Sequence, residues 1–201
     1  DLSRTYNVPF LFETNVGAGL PVIDTLKNLV LSGDRVRKIR AVLSGSLNFI
    51  FNTYDGSDAF ADVVREARDQ GFTEPDPRID LSGVDVMRKI LILARESGVA
   101  MEPEGIENHS FLPLPAREAA DLQAFFKALE EGESHFKALF HAAQKKGSRL
   151  KYVAEFNTGA ASVGLEEIPE GHDFYNLRGS DNIVLFYTDR YPEQPLMIKG
   201  A

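Results

Sequence analysis

The 201-residue sequence contains no cysteine. That excludes a disulfide frame and a thiolate metal site, and it suits a reducing, cytoplasmic setting. Histidine is scarce, with four in the chain. His109 and His172 stand alone, His135 and His141 are too far apart to make a metal pair on one helical face, and there is no HExxH, so no zinc site is expected. Positive charge is in deficit: 22 Lys and Arg against 30 Asp and Glu give a formal net charge of −8. Such a balance argues against nucleic acid or an anionic membrane as partner. No apolar run is long enough to span a bilayer, no signal peptide is visible, and no repeat or low-complexity tract interrupts the pattern. A complete GxGxxG is also missing. Gly17-Ala18-Gly19 precedes a helical pattern but has no βαβ unit behind it, and reads as a tight turn at a helix start. What remains is enough for one domain, residues 1–201, with a proper core.

The chemistry concentrates at 71–89. Glu74, Asp76, Asp80 and Asp85 are acidic, and Lys89 closes the run. Pro75 and Pro77 are expected to hold the loop extended and stiff. Ser82 with Asp85 three residues on predicts a capping box and a helix starting near Gly83. Asp85 and Lys89 are then i and i+4 on one helical face. Carboxylates suit an ammonium, and a partly buried lysine can exchange a proton with a hydroxyl or carbonyl oxygen. The same residues also suit a helix dipole and a surface ion pair.

Around this stretch the pattern predicts further elements. Residues 8–14 read as a short buried strand. Leu20, Ile23, Leu26, Leu29 and Val30 repeat at helical spacing, and Ser32-Gly33-Asp34 stops that helix. Residues 35–44 alternate as a half-buried strand with Val36, Ile39 and Ala41 inward, and Ser44-Gly45-Ser46 turns into a short helix. An amphipathic helix over 59–70 is ended by Gly71. The helix over 84–97 is apolar round most of its circumference and therefore largely buried. A lysine on it is expected to be desolvated, with Asp85 as the offsetting carboxylate. Residues 99–115 read as a connection, and 116–146 as two helices broken at Gly132. Four strands follow, at 149–156, 161–168, 182–188 and 195–199, with Arg178-Gly179-Ser180-Asp181-Asn182 as a plain turn. The fold class expected is α+β: a mixed, mainly antiparallel sheet covered by helices on one face.

The stretch TEPDPRIDLSGVDVMRK (73–89) resembles the substrate-binding signature of homoserine dehydrogenase, most closely the dehydrogenase half of bifunctional aspartokinase/homoserine dehydrogenases. ETNVGAGLPVI (13–23), VLSGSLNFIF (42–51) and PLMIKGA (195–201) match the same family in order and spacing. The resemblance implies NADP- or NAD-dependent interconversion of L-homoserine and L-aspartate 4-semialdehyde, on the route to threonine and methionine. It implies that Lys89 is the proton donor and acceptor and that Glu74 and Asp85 bind substrate. Asp80 belongs to the same network, and the backbone at Gly45 and Ser46 lies beside the substrate. Gly71 and Gly200 are implied to contact the cofactor, Glu13, Val16, Ala18 and Leu20 to hold a sodium ion through backbone carbonyls, and the protein to be a cytoplasmic homodimer. In the family a nucleotide-binding domain with a second active-site lysine precedes this segment and further glycines follow it. Both ends of the chain therefore look cut, and the chain alone is expected to be inactive. A non-catalytic dimerisation or scaffold domain, and a related enzyme acting on another small carbonyl compound, stay open beside this reading.

Overall fold

The computed structural model describes residues 2–200. Its strands are β1 (Val36–Val42), β2 (Ile106–His109), β3 (Arg149–Asn157), β4 (Ala160–Ile168), β5 (Asn182–Thr188) and β6 (Leu196–Gly200). They form one sheet in the order β2-β4-β3-β1-β5-β6. Every neighbouring pair is antiparallel except β2 with β4. The helices are α1 (Leu2–Tyr6), α2 (Val22–Leu31), α3 (Gly45–Thr53), α4 (Phe60–Asp69), α5 (Arg78–Leu81), α6 (Val84–Glu96), α7 (Leu114–Arg117), α8 (Leu122–Glu131) and α9 (Glu133–Lys145). The α+β class is the one the sequence predicts.

Period-two alternation sorts the strands into two faces. Ile39 and Ala41 of β1, Tyr152, Ala154 and Phe156 of β3 and Val184 and Phe186 of β5 share the main core with the helices. Ile39 pairs with both Phe156 and Phe186, so one register sets this layer. On the opposite face Val42, Val153, Ile168, Ile183 and Leu185 make a second cluster, closed by Phe174 and Leu177 from segment 169–181. The rest of that face is polar, with Arg40 flanked by Glu155 and Glu166 and Lys38 paired to Glu155 at 3.1 Å. Strand β5, buried on both faces, is a continuous apolar run for that reason. The phenylalanines of the helical layer are core: Phe60 stacks on Phe136 with ring centroids 4.0 Å apart, and Phe125 and Leu129 are fully buried.

Three local expectations differ. Residues 8–14 form no strand; 8–12 are irregular and Glu13–Asn15 is one 3₁₀ turn. Phe10 and Leu11 stand 72% and 86% exposed. Among the described residues the apolar run pairs with none of the six strands, and a strand without a neighbour leaves its backbone groups unpaired. The 71–82 loop is not extended throughout, because Arg78–Leu81 makes a helical turn. Its first residue is locked by its own side chain: Nε and Nη2 of Arg78 donate to the Asp76 carboxylate at 2.9 and 2.6 Å. The capping box does not form. The Ser82 hydroxyl donates to Ile79 O at 2.7 Å and accepts from Val84 N at 3.2 Å, while Asp85 turns to Lys89. Position N-cap of α6 is Gly83 in the left-handed region, φ 73°. Two elements have no counterpart in the expected pattern: α1, and the parallel edge strand β2, whose polar IENH has only Ile106 buried.

Candidate functional site

The site is assembled where β1 stops. Ser44 caps α3, its hydroxyl accepting from Leu47 N at 3.2 Å, and lies 3.0 Å from the Ser46 hydroxyl. Ser46 donates to Asp80 Oδ1 at 2.9 Å. The other Asp80 oxygen accepts from the backbone N–H of Glu74 at 3.0 Å. One carboxylate thus ties the acidic loop to the first turn of α3 and fixes where Glu74 leaves the chain. The Glu74 side chain itself is exposed and enters no ion pair among the described residues.

Lys89 approaches from α6. Its ammonium donates to Leu43 O at 2.9 Å and pairs with Asp85 Oδ2 at 2.8 Å. The lysine side chain is 23% exposed and Asp85 56%. The head group therefore points inward, onto the last residues of β1, rather than into bulk water. Two of its three N–H groups are used, which leaves one for a ligand oxygen. Helix α6 allows this because only Asp85, Arg88 and Arg95 on it are exposed; the buried side chains Val86, Ile90, Leu93 and Ala94 fix its rotation. Leu43 and Ser46, three residues apart, thus hold the lysine and the acidic loop respectively. Chemically the arrangement offers carboxylates to an ammonium beside a lysine able to donate to an oxygen.

The remaining residues fall in three places. Gly45 stands at the start of α3 against the 178–181 turn, where an added Cβ would lie 3.1 Å from Ser180 O. Gly71 ends α4 with φ 76°, open to solvent, with nothing within 4 Å of an added Cβ. Gly200 lies at the end of β6, where a Cβ would come 3.0 Å from Leu20 Cδ2. That contact joins it to the turn carrying Glu13, Val16, Ala18 and Leu20. There Gly17 and Ala18 both take positive φ, 79° and 54°. Both Glu13 carboxylate oxygens are used on the first turn of α2, accepting from Ile23 N (2.7 Å) and Asp24 N (2.8 Å). Leu20 N donates to Gly17 O and Val22 N to Leu20 O. Among the described residues the carbonyls of Val16 and Ala18 lie outside this turn bonding. A carbonyl cradle for a hard cation fits such irregular backbone.

The most deeply buried cation is Lys151 on β3, with no solvent exposure, and it lies outside every motif singled out in the sequence. Its ammonium donates to Asn48 Oδ1, Asn52 Oδ1 and Leu177 O at 2.8, 2.6 and 2.7 Å. Burial, reinforced by Arg149 and Lys199, pulls its pKa down to about 8. The available signal was Asn48 and Asn52 at i and i+4 on α3, two amides on one helical face.

The model of the homoserine dehydrogenase family matches residues 21–201. The chain belongs to the homoserine dehydrogenase family. It is 40% identical over 207 residues to the homoserine dehydrogenase of Schizosaccharomyces pombe, covering 99% of this chain and 55% of that protein. It is 40% identical over 202 residues to the chloroplastic bifunctional aspartokinase/homoserine dehydrogenase 1 of Arabidopsis thaliana, covering 100% of this chain and 22% of that protein. Among solved structures, a Candida auris protein of unknown function superposes with a TM-score of 0.86 at 41% identity, over 94% of this chain and 55% of its own. A hyperthermophilic archaeal homoserine dehydrogenase in complex with NADPH superposes with a TM-score of 0.69 at 25% identity, over 99% and 51%. The chain thus spans about half, or about a fifth, of these homoserine dehydrogenases and bifunctional relatives. No helix of the described residues is long and apolar enough to cross a membrane.

Proposed function

We propose that this chain is the substrate-binding and catalytic part of an NADP- or NAD-dependent homoserine dehydrogenase, interconverting L-homoserine and L-aspartate 4-semialdehyde in threonine and methionine biosynthesis. The observation that carries the reading is the Lys89 ammonium held at 2.9 Å from Leu43 O and 2.8 Å from Asp85, beside the Ser46–Asp80–Glu74 chain. Glu74, preset by Asp80, and Asp85 bind the amino-acid ammonium and the polar end of the substrate. The free N–H of Lys89 reaches the substrate oxygen, gives it a proton as the aldehyde is reduced, and takes it back in the reverse direction. Asp85, 2.8 Å from the ammonium, aims the lysine. Gly45 and Ser46 pin the substrate beside the end of β1.

When bound, the nicotinamide supplies the hydride. Gly71, whose surroundings are open, and Gly200 suit contact with it through backbone. The rest of its site is placed in the length of the relatives that this chain does not span, and residues 1–201 alone are expected to be inactive. The carbonyls of Glu13, Val16, Ala18 and Leu20 would hold a sodium ion that stiffens the turn next to Gly200. A cytoplasmic homodimer, in some forms fused to an aspartokinase, follows from the resemblance; light scattering of the full-length protein tests the dimer. The decisive experiment is Lys89→Ala in the full-length enzyme. Turnover with homoserine should fall at least about a hundredfold, the scale of a lost general acid–base, with the assembly unchanged. Undiminished turnover would refute the assignment.

A further inference from the structure

The Lys151 ammonium is buried with three neutral acceptors and no carboxylate among them. An ion so placed is costly and persists only where several dipoles converge on it. Its consequence is directional. Lysine can only donate, so it turns Oδ1 of Asn48 and of Asn52 toward itself and leaves both amide NH₂ groups facing the other way. Those groups meet the carbonyls of the 178–181 turn. Asn48 Nδ2 donates to Gly179 O at 3.0 Å and to Asp181 O at 3.3 Å, and Asn52 Nδ2 donates to Gly179 O at 3.2 Å. Leu177 O, at the entry to the turn, is taken by Lys151 itself. Held there, Ser180 lies against Gly45, where an added Cβ would sit tightly at 3.1 Å from Ser180 O. The next residue, Ser46, holds Asp80, and Asp80 holds the Glu74 backbone.

We propose that Lys151 is a positioning residue for the amino-acid subsite: through Asn48 and Asn52 it clamps the 177–181 turn onto the first turn of α3, and so fixes Ser46 and the acidic loop that Ser46 anchors. This rests on the homoserine dehydrogenase reading. Lys89 takes its place from Leu43 and Asp85, outside the clamp. Loss of the clamp therefore loosens substrate binding more than proton transfer.

The test uses the full-length enzyme and compares Lys151→Met, which keeps length without the charge, with Asn48→Asp, which keeps the acceptor for Lys151 but loses the NH₂ that grips the turn. Both should raise KM for homoserine about tenfold, the size of one lost charge-assisted hydrogen bond. KM for the nicotinamide nucleotide and kcat should stay within about threefold, as expected when ground-state and transition-state binding weaken together. A purely structural role would lower the melting temperature and leave the homoserine KM unmoved, and that result overturns the proposal. If Lys151→Met does not fold, Asn52→Ala, at an exposed helix position, decides: a raised homoserine KM supports the clamp and an unchanged one overturns it. A wild-type enzyme that shows no homoserine-dependent nucleotide reduction sinks the parent reading as well, whereas an active wild type with unmoved variants sinks the clamp alone.

Discussion

Gly83 begins the helix that carries Asp85 and Lys89, and replacing it with alanine should damage this protein more than the same change at the other described glycines. Its φ is 73°, and the added Cβ would lie 1.9 Å from the hydroxyl oxygen and 2.8 Å from Cζ of Tyr152. Three costs combine. Alanine in the left-handed region costs about 1–2 kcal/mol. Tyr152 is 1% exposed and packs edge-on against Phe111, so displacing it resembles overpacking a core, about 1–3 kcal/mol. Its hydroxyl bond to Asn108 Oδ1, 3.2 Å, would then be lost from a buried place, about 1 kcal/mol or more. The sum is about 4 kcal/mol, which for a chain of this size lowers the melting temperature by roughly 8–16 °C. Gly71→Ala is the control. Its φ is nearly the same, 76°, but no atom lies within 4 Å of the new Cβ, so only the backbone cost of about 1–2 kcal/mol remains. Urea denaturation of the two variants, followed by circular dichroism, measures the difference. Adding Tyr152→Phe to Gly83→Ala removes the nearest atom and should restore part of the loss. Equal stabilities for Gly83→Ala and Gly71→Ala would mean that Tyr152 does not abut the start of α6, and the account of how Lys89 is aimed would fall with it.

Ser46→Ala removes the donor to Asp80 Oδ1; in the full-length enzyme the homoserine KM should rise about tenfold, the scale of a hydrogen bond to a charged group, and an unchanged KM would detach Asp80 from the site. The folded pKa of Lys151, about 8, lies below its ordinary 10.5. Between those values the unfolded chain binds more protons, so stability rises with pH. Relative to Lys151→Met, the wild type should gain about 2 kcal/mol between pH 7.5 and 9.5, read from paired denaturation curves; a flat difference would mean an exposed amine. Gly17→Ala sets a Cβ 2.7 Å from Val22 Cγ2 at φ 79°. It should reshape the turn and abolish any activation of the full-length enzyme by sodium over choline, measured by titrating NaCl; retained activation would move the cation elsewhere.

Local chemistry made much of the fold legible. The β5 run 182–188 and the break at Gly132 were placed as observed, because apolar periodicity and glycine act within a few residues. Residues 8–14 show the limit: an apolar run has strand propensity, but a strand exists only if another offers it an edge. Conversely, IENH has little strand character and becomes β2 because β4 lies parallel beside it. The pairing of Asp85 with Lys89 was readable, since helical spacing alone brings i and i+4 together. The partners of Asp80, Lys89 and Lys151 were not, since Ser46, Leu43 and Asn48 are 34, 46 and 103 residues away.

The order of residues by itself determined the longer helices and where they stop, the strands from 149 onward, and that acid and amine gather at 74–89, since those properties depend on near neighbours and on the covalent preferences of glycine and proline. Only the folded chain decided that Lys89 turns inward to the end of β1, that Ser82 abandons its capping box, and that the buried cation is Lys151. Those outcomes depend on which carbonyls and carboxylates packing brings within 3 Å, a contact between distant stretches that no local pattern encodes.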